Sequence, residues 1–420
     1  MKINNLTFLN DFKQFEKGHK FDFSLQSISG ENSIELTQSV LVGRNGSGKT
    51  TLMSLIATLF HNLERYGYSI PADFELTYNK YLKGKDYVVT IKHLNNLITI
   101  SIPEVFENIQ LVPKRNAREN YMSLIDKKKP FITYDEIRTY LPNKVVSSTF
   151  SMHGEYPNPR PHNYIGDQIV SLQTITNIYG NNHYDFGSIS VGIFRFVKLF
   201  FDGSNEIIKL LNLFDLKFTN RVLFSQTEDW DVVSKKWIKK NESIIIERDD
   251  YLNDIEFKRN GRYITLSNMS SGEKMLLLRT ISILNSLEQE SIVIVEEPEL
   301  HLDPVWNRQL ITLFKVILKG YNSHLLIATH NYSIINSVQQ SNLIYLQDGL
   351  QNKIPESTFL ASYEELFRIL YGENFKSNTV EEQFLSTLSE KSIEELKSDY
   401  NKVGNSIYKY LIYKKIKEKS

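Results

Sequence analysis

Short apolar stretches separated by turn residues open the chain. INNLTFL, KFDFSLQ and SIELTQSVLVG read as strands, the last of them buried and ending at Gly43. From Lys49 the period changes: Leu52, Leu55, Ile56, Leu59, Phe60 and Leu63 recur at helical spacing, which predicts a helix with one face packed on a sheet. DYVVTIKHLNNLITISI (86–102) predicts a hairpin turning at Asn95-Asn96. Residues 103–142 are polar and basic, with KRNAR and DKKKP, and predict chain running over the surface.

Between 150 and 260 the pattern is less regular. HGEYPNPRPHNYIGD is loop chemistry, SVGIFRFVKLFFDGSNEIIKLLNLFD (190–215) predicts two helices, and FKRNGRYITLS predicts a hairpin at its Asn-Gly pair. After 265 strands and helices alternate. A helix over 272–287 follows a Ser-Gly turn, then come the apolar strand SIVIV, a helix from Pro304, the strand LLIAT leading to His330, and NLIYL at 342–346. That alternation predicts a largely parallel α/β sheet. The chain beyond 355 reads as helical and is basic at its end, YKKIKEKS. No internal repeat or long heptad run is present, which argues against an extended coiled coil.

A chain of 420 residues predicts two lobes or a core with insertions, and 41% apolar with 23% charged residues is globular composition. Lys plus Arg equals Asp plus Glu, 49 against 49, so a wholly basic coat for nucleic acid is excluded while a local basic groove is not. The absence of cysteine excludes disulfides, thiolate zinc sites and cysteine nucleophiles, and fits a reducing compartment. The first residues lack the apolar core of a signal peptide, and no run approaches the roughly 20 apolar residues of a membrane span. A soluble, cytoplasmic protein with no membrane partner is therefore expected.

Four motifs carry chemistry. GRNGSGKTT comprises Gly43, Arg44, Asn45, Gly46, Ser47, Gly48, Lys49, Thr50 and Thr51, sits between a strand and a helix, and matches a phosphate-binding loop. Its glycines let several N–H groups converge on one centre, and the helix N-terminus favours anions. Lys49 is expected to reach the β- and γ-phosphates of ATP, and the Thr50 hydroxyl to ligate Mg²⁺. The missing third glycine excludes a dinucleotide fingerprint. SIVIVEEPELHLDP ends a buried strand on Glu296 and Glu297, whose side chains point opposite ways; Glu296 is expected to hold Mg²⁺ and Glu297 to orient or deprotonate the attacking water. Taken alone it could be a solvated acidic turn. NMSSGEK offers Ser270, Ser271, Gly272 and Glu273 at a helix start, either as an anion site or as a plain N-cap with Ser and Glu. The fourth is His330 at the end of LLIAT, a position that a structural histidine also fills.

In this order the four resemble the layout of ATP-binding-cassette ATPases, with MSSGE (269–273) similar to the signature motif. The resemblance implies an α/β ATPase head: a mixed β lobe plus a parallel P-loop sheet with flanking helices, a mostly helical insertion and a helical C-terminal tail. The corresponding boundaries are 1–145 for the first part of the head, 146–260 for the insertion, 261–350 for the second part and 351–420 for the tail. It further implies ATP and Mg²⁺ sandwiched between two protomers. Lys49 and Thr50 come from one, and the signature Ser270, Ser271, Gly272 and Glu273 from the other, where Ser270 and Gly272 cap the γ-phosphate. His330 matches the switch histidine and Asp303 the dimer-contact loop.

EEPELHLDP is similar to the soluble heads of the SMC, RecF and OLD branch, and VVSSTFSMHGEYP and STFLASYEELFRILYG resemble segments of anti-phage ATPases of the Septu and PARIS type. Glu296 stands where transporters have Asp, Met269 and Ser271 replace the Leu and first Gly of the signature, and the glutamine-loop position falls to Gln168, Gln173 or Ser151. No nuclease-type carboxylate set or HNH cluster follows His330. The resemblance thus implies a defence ATPase holding a separate toxic effector, such as a nuclease, with a RecF-like DNA-binding ATPase as the alternative. KRNAR, DKKKP and YKKIKEK would then be contacts to DNA or a partner, or merely solvated loops.

Overall fold

The computed structural model describes residues 1–23, 36–65, 70–114, 121–122, 124–149, 156, 175–179, 189–225, 229–247, 251–371, 379–404 and 407–419. Strands β1 (Lys2–Phe8), β2 (Lys20–Asp22) and β3 (Thr37–Gly43) precede the P-loop helix, Lys49–Arg65. Then come β4 (Phe74–Leu82), β5 (Lys85–Leu94), β6 (Leu97–Ile102), β7 (Phe106–Val112), β8 (Phe131–Thr133), β9 (Val145–Thr149) and β10 (Ile175–Tyr179). β11 (Lys217–Phe224), β12 (Trp230–Val232), β13 (Leu252–Arg259) and β14 (Arg262–Thr265) lead to the signature helix, Ser271–Ser286. The last strands are β15 (Ile292–Glu296), β16 (His324–Ala328), β17 (Leu343–Gln347) and β18 (Leu350–Asn352).

Among the described residues three sheets result: β2-β1-β4-β5-β6-β7-β8, β10-β9-β15-β16-β3-β17-β18, and β12-β11-β13-β14. The second is parallel from β10 to β17. β15 and β16 are buried at every position, as strands covered on both faces must be. The first sheet is built on hairpins. Lys83-Gly84 and Asn95-Asn96 both hold φ > 0 at their two central residues, the geometry that matches strand twist in a two-residue turn. The second of these is the hairpin expected from sequence, and Asn260-Gly261, with φ of 50° and 80°, is the other.

The P-loop helix departs from its expected one-sided packing. Leu52, Leu55, Ile56, Leu59, Phe60 and Leu63 are buried, and so are Met53, Ala57, Thr58, His61 and Asn62. One core cluster joins this helix to Leu6, Leu76, Ile91 and Ile100 of the first sheet and to Leu41, Ile294 and Leu326 of the parallel sheet. A helix clamped between two sheets has no solvent face to mark with polar residues.

Residues 106–112 and 131–133, expected as surface chain, are β7, paired to β6 and β8, and the edge strand β8. Glu107 and Asn108 of β7 and Phe131 of β8 are exposed, while Leu111 and Val112 are buried. β9 and β10, inside the stretch expected as insertion, extend the parallel sheet. The two helices expected over 190–215 are present as Ile189–Phe201 and Asn205–Leu213, next to the four-stranded sheet β11–β14, of which only the last hairpin was expected.

The chain divides into two compact units, Met1–Leu366 and Phe367–Ser420. The second contains helices Thr379–Leu388, Ile393–Lys402 and Ile407–Lys419, packed through Leu388, Leu396 and Ile412. No helix of the described residues is long and apolar enough to cross a membrane.

Candidate nucleotide-binding site

Three neighbouring strands of the parallel sheet, β15, β16 and β3, end side by side. Their C-terminal ends lead respectively to Glu296 and Glu297, to His330, and to the loop Gly43–Gly48. This is the edge of an α/β sheet at which ligands bind.

The loop requires its glycines. A Cβ on Gly43 would lie 2.2 Å from the carbonyl oxygen of Leu346, and one on Gly48, at φ +100°, would lie 2.3 Å from the ring of Phe15. Gln14 Nε2 donates to the Gly46 carbonyl at 3.3 Å, so the turn between β1 and β2 braces the loop. Lys49 Nζ donates to the carbonyls of Gly43 (2.9 Å) and Arg44 (3.1 Å). Burial lowers its pKa to about 8, against the opposing pull of Glu297, Glu296 and Glu299. Arg44, Asn45 and Gly46 form the exposed tip, while Thr50 is half-buried and Thr51 buried.

Glu296 is buried at the last position of β15, paired in register with Ala328. Glu297 follows in a left-handed conformation, φ 41°, its N–H donating to the Ala328 carbonyl at 2.8 Å. A non-glycine residue held there is strained, a condition that clusters at functional sites. His330 is half-buried, and burial followed by the charge of Lys49 lowers its pKa to about 4, leaving the imidazole neutral.

Glu299 is the residue that sequence reasoning missed. Its Oε1 accepts from the Thr329 hydroxyl at 2.6 Å and from the His330 N–H at 3.1 Å. Burial raises its pKa. The EEPE wording held the signal, because the third acid lies three residues past the strand end, close enough to reach back to the adjacent loop.

Ser270 caps the signature helix in a reciprocal box with Glu273: Glu273 N–H donates to Ser270 Oγ at 3.2 Å, and Ser270 N–H to Glu273 Oε2 at 3.4 Å. The plain N-cap foreseen for this motif is therefore present, and Ser270 and Ser271 are exposed at the helix start. Arg259 of β13 bridges Glu273 at 3.0 Å. Gly272 is buried, and a Cβ there would lie 2.5 Å from the His301 carbonyl oxygen, so signature and acid loop touch directly. Asp303 caps helix Pro304–Leu318, accepting from Val305 N–H (2.8 Å) and Trp306 N–H (3.0 Å). Gln168, Gln173 and Ser151 lie outside the described residues.

The set fits a nucleotide with its metal. The Ser47 hydroxyl is buried without a hydrogen-bond partner among the described residues, inside a glycine cradle that a Cβ would fill. Thr50 and Glu296 are hard oxygen donors of the kind Mg²⁺ takes alongside phosphate oxygens.

A family model described as "AAA domain, putative AbiEii toxin, Type IV TA system" matches residues 39–336, from within β3 to just beyond His330. The chain belongs to this family. It is an AAA-type P-loop ATPase domain, and the proteins similar to it include two of low identity. Protein ea59 of Escherichia phage lambda is 22% identical over 347 residues, covering 81% of this chain and 55% of that protein. The retron Ec83 probable ATPase of Escherichia coli is 25% identical over 114 residues, covering 24% of this chain and 21% of that protein. The chain thus spans about half the length of the phage relative and about a fifth of the retron relative. Among solved structures, the SMC head domain from Thermotoga maritima matches with a TM-score of 0.38 and 16% identity, covering 85% of this chain and 99% of that one. The SMC head bound to the C-winged-helix domain of ScpA gives 0.39 and 13%, covering 87% and 100%.

Proposed function

We propose that this AAA-type domain binds and hydrolyses ATP at composite sites shared between two copies of the chain, and that the cycle controls a separate toxic effector, such as a nuclease, in anti-phage defence. The observation that carries the catalytic part is the convergence of Lys49, Glu297 and His330 at three adjacent strand ends around a glycine cradle. The partial similarity to a retron ATPase supports the defence part.

In this reading the N–H groups of residues 46–51 and the Lys49 ammonium bind and orient the phosphates. Thr50 and Glu296 would hold Mg²⁺, which when bound supplies charge neutralisation on the phosphates. Glu297 orients the attacking water and accepts its proton. Neutral His330 offers a hydrogen bond to the γ-phosphate. Ser270, Ser271 and Gly272 of the other copy close the site, with Asp303 at the contact. The anion would meet Ser270 at the start of a capped helix, where the helix dipole favours negative charge.

A second reading, a DNA-binding repair ATPase, draws support from the exposed Lys127–Lys129 run and from Tyr410, Tyr413, Lys414 and Lys417 exposed on the last helix. ATP binding and phosphate release by wild type and Lys49→Ala test the catalytic reading. Phage plating on cells carrying the gene with its genomic neighbours, wild type against Lys49→Ala, tests the defence role. Protection that survives Lys49→Ala contradicts ATP control.

A further inference from the structure

Arg279 lies midway along the signature helix with 3% of its surface exposed, an uncommon position for a guanidinium. It is held by specific bonds. Nε donates to the Ser148 hydroxyl, and Nη2 donates to the Ser148 carbonyl at 2.7 Å and the Glu296 carbonyl at 3.2 Å. Ser148 on β9 pairs in register with Val295 on β15, the last pairing between those strands. Arg279 therefore clips the two strands together where their ladder stops.

The Glu296 carbonyl belongs to the peptide that joins the two acids. The N–H of that same peptide, on Glu297, donates to the Ala328 carbonyl at 2.8 Å. One peptide plane is thus gripped on one side by the signature helix and on the other by β16. Its orientation sets the rotation at Glu297, whose φ of 41° is a conformation that a non-glycine side chain keeps only when its surroundings enforce it. Without Arg279 this peptide loses one of its two described anchors, and the φ of Glu297 is less firmly enforced.

We infer that Arg279 is a positioning residue: by holding the Glu296–Glu297 peptide it keeps Glu297 aimed for hydrolysis, and it does so from the helix whose first turn carries the signature. This rests on the proposed ATPase reading. The bonds also give the signature helix a mechanical hold on the acids, so a shift at Ser270–Glu273 reaches Glu297 through one side chain. Burial lowers the Arg279 pKa to about 9, with Glu299 and Glu296 opposing, so it stays a cation at neutral pH.

The test compares wild type, Arg279→Lys, Arg279→Met and Ser148→Ala for ATP affinity, kcat, KM and melting temperature. A lysine reaches one carbonyl but cannot fork to two. The expected result is ATP affinity within about 3-fold of wild type, with kcat lowered about 10-fold in Arg279→Lys and about 100-fold in Arg279→Met. Ser148→Ala, which removes only the hydroxyl, should lower kcat about 3-fold with KM unchanged. A purely structural role would instead lower the melting temperature and leave kcat per folded molecule intact. Wild-type kcat in Arg279→Lys overturns the inference, as does wild-type kcat in Ser148→Ala if the arginine variants fail to fold. If wild type itself shows no Lys49-dependent turnover, the ATPase reading has failed first. If wild type turns over and the variants match it, the inference alone has failed.

Discussion

The N–H of His330 donates to Oε1 of Glu299 at 3.1 Å, so the loop after β15 holds the loop after β16 through one carboxylate. Thr329, fully buried, shares the same oxygen at 2.6 Å. Glu299→Ala leaves both donors without that acceptor, at a cost of about 1–3 kcal/mol. Calorimetric melting should fall by several degrees, and turnover by about 10- to 100-fold as His330 loses its fixed position. Glu299→Gln keeps a carbonyl acceptor and should be the milder variant in both measurements.

The approach of Gly272 to the His301 carbonyl leaves no room for a side chain. Gly272→Ala should lower stability by about 1–3 kcal/mol and slow hydrolysis, because the signature is pushed off the acid loop. ATP affinity of the isolated chain should be unchanged, since the P-loop is untouched. Equilibrium binding alongside steady-state rates separates the two effects.

Lys49 titrates at about 8 in the folded protein against an ordinary 10.5. Phosphate oxygens beside it favour the ammonium, so ATP binding at pH 8.5 should take up a proton. Titration calorimetry in two buffers of different ionisation enthalpy should detect that uptake, which should vanish at pH 6.5 and in Lys49→Arg. The folding linkage has a definite sign. Between pH 8 and 10.5 the unfolded chain binds more protons at this residue than the folded one, so its contribution to stability rises with pH through that window.

Shared sites make a mixing prediction. Ser270→Arg should bind ATP but not hydrolyse it, and Lys49→Ala should do neither. Mixed, they can form one intact site from the P-loop of the first and the signature of the second. Random pairing should restore about a quarter of the wild-type rate. Since Ser270 is also a cap, its loss costs about 1 kcal/mol, and a melting curve must accompany the assay.

Much of this site was legible in the sequence because local chemistry wrote it there. Gly43 and Gly48 were readable because their close contacts admit no Cβ, and Glu296 because five buried residues in a row end on it. Asn95-Asn96 and Asn260-Gly261 announced their hairpins through the φ > 0 that such turns demand. β7 and β8 were hidden because β7 opens on the exposed pair Glu107-Asn108 and β8 has only three residues, too few to show a period. Arg279 and Glu299 could not be given their roles because their partners, Ser148 on β9 and Thr329 just past β16, lie 131 and 30 residues away. Long-range polar pairing of that kind leaves no periodicity to read.

The most direct test is the mass of the Glu297→Gln variant by light scattering, with and without Mg²⁺ and ATP, while phosphate release is followed in the same sample. Shared sites with Glu297 as the base predict that the variant binds ATP, releases no phosphate, and doubles in mass only when ATP is present. Phosphate release at the wild-type rate, or a mass indifferent to ATP, would contradict the account.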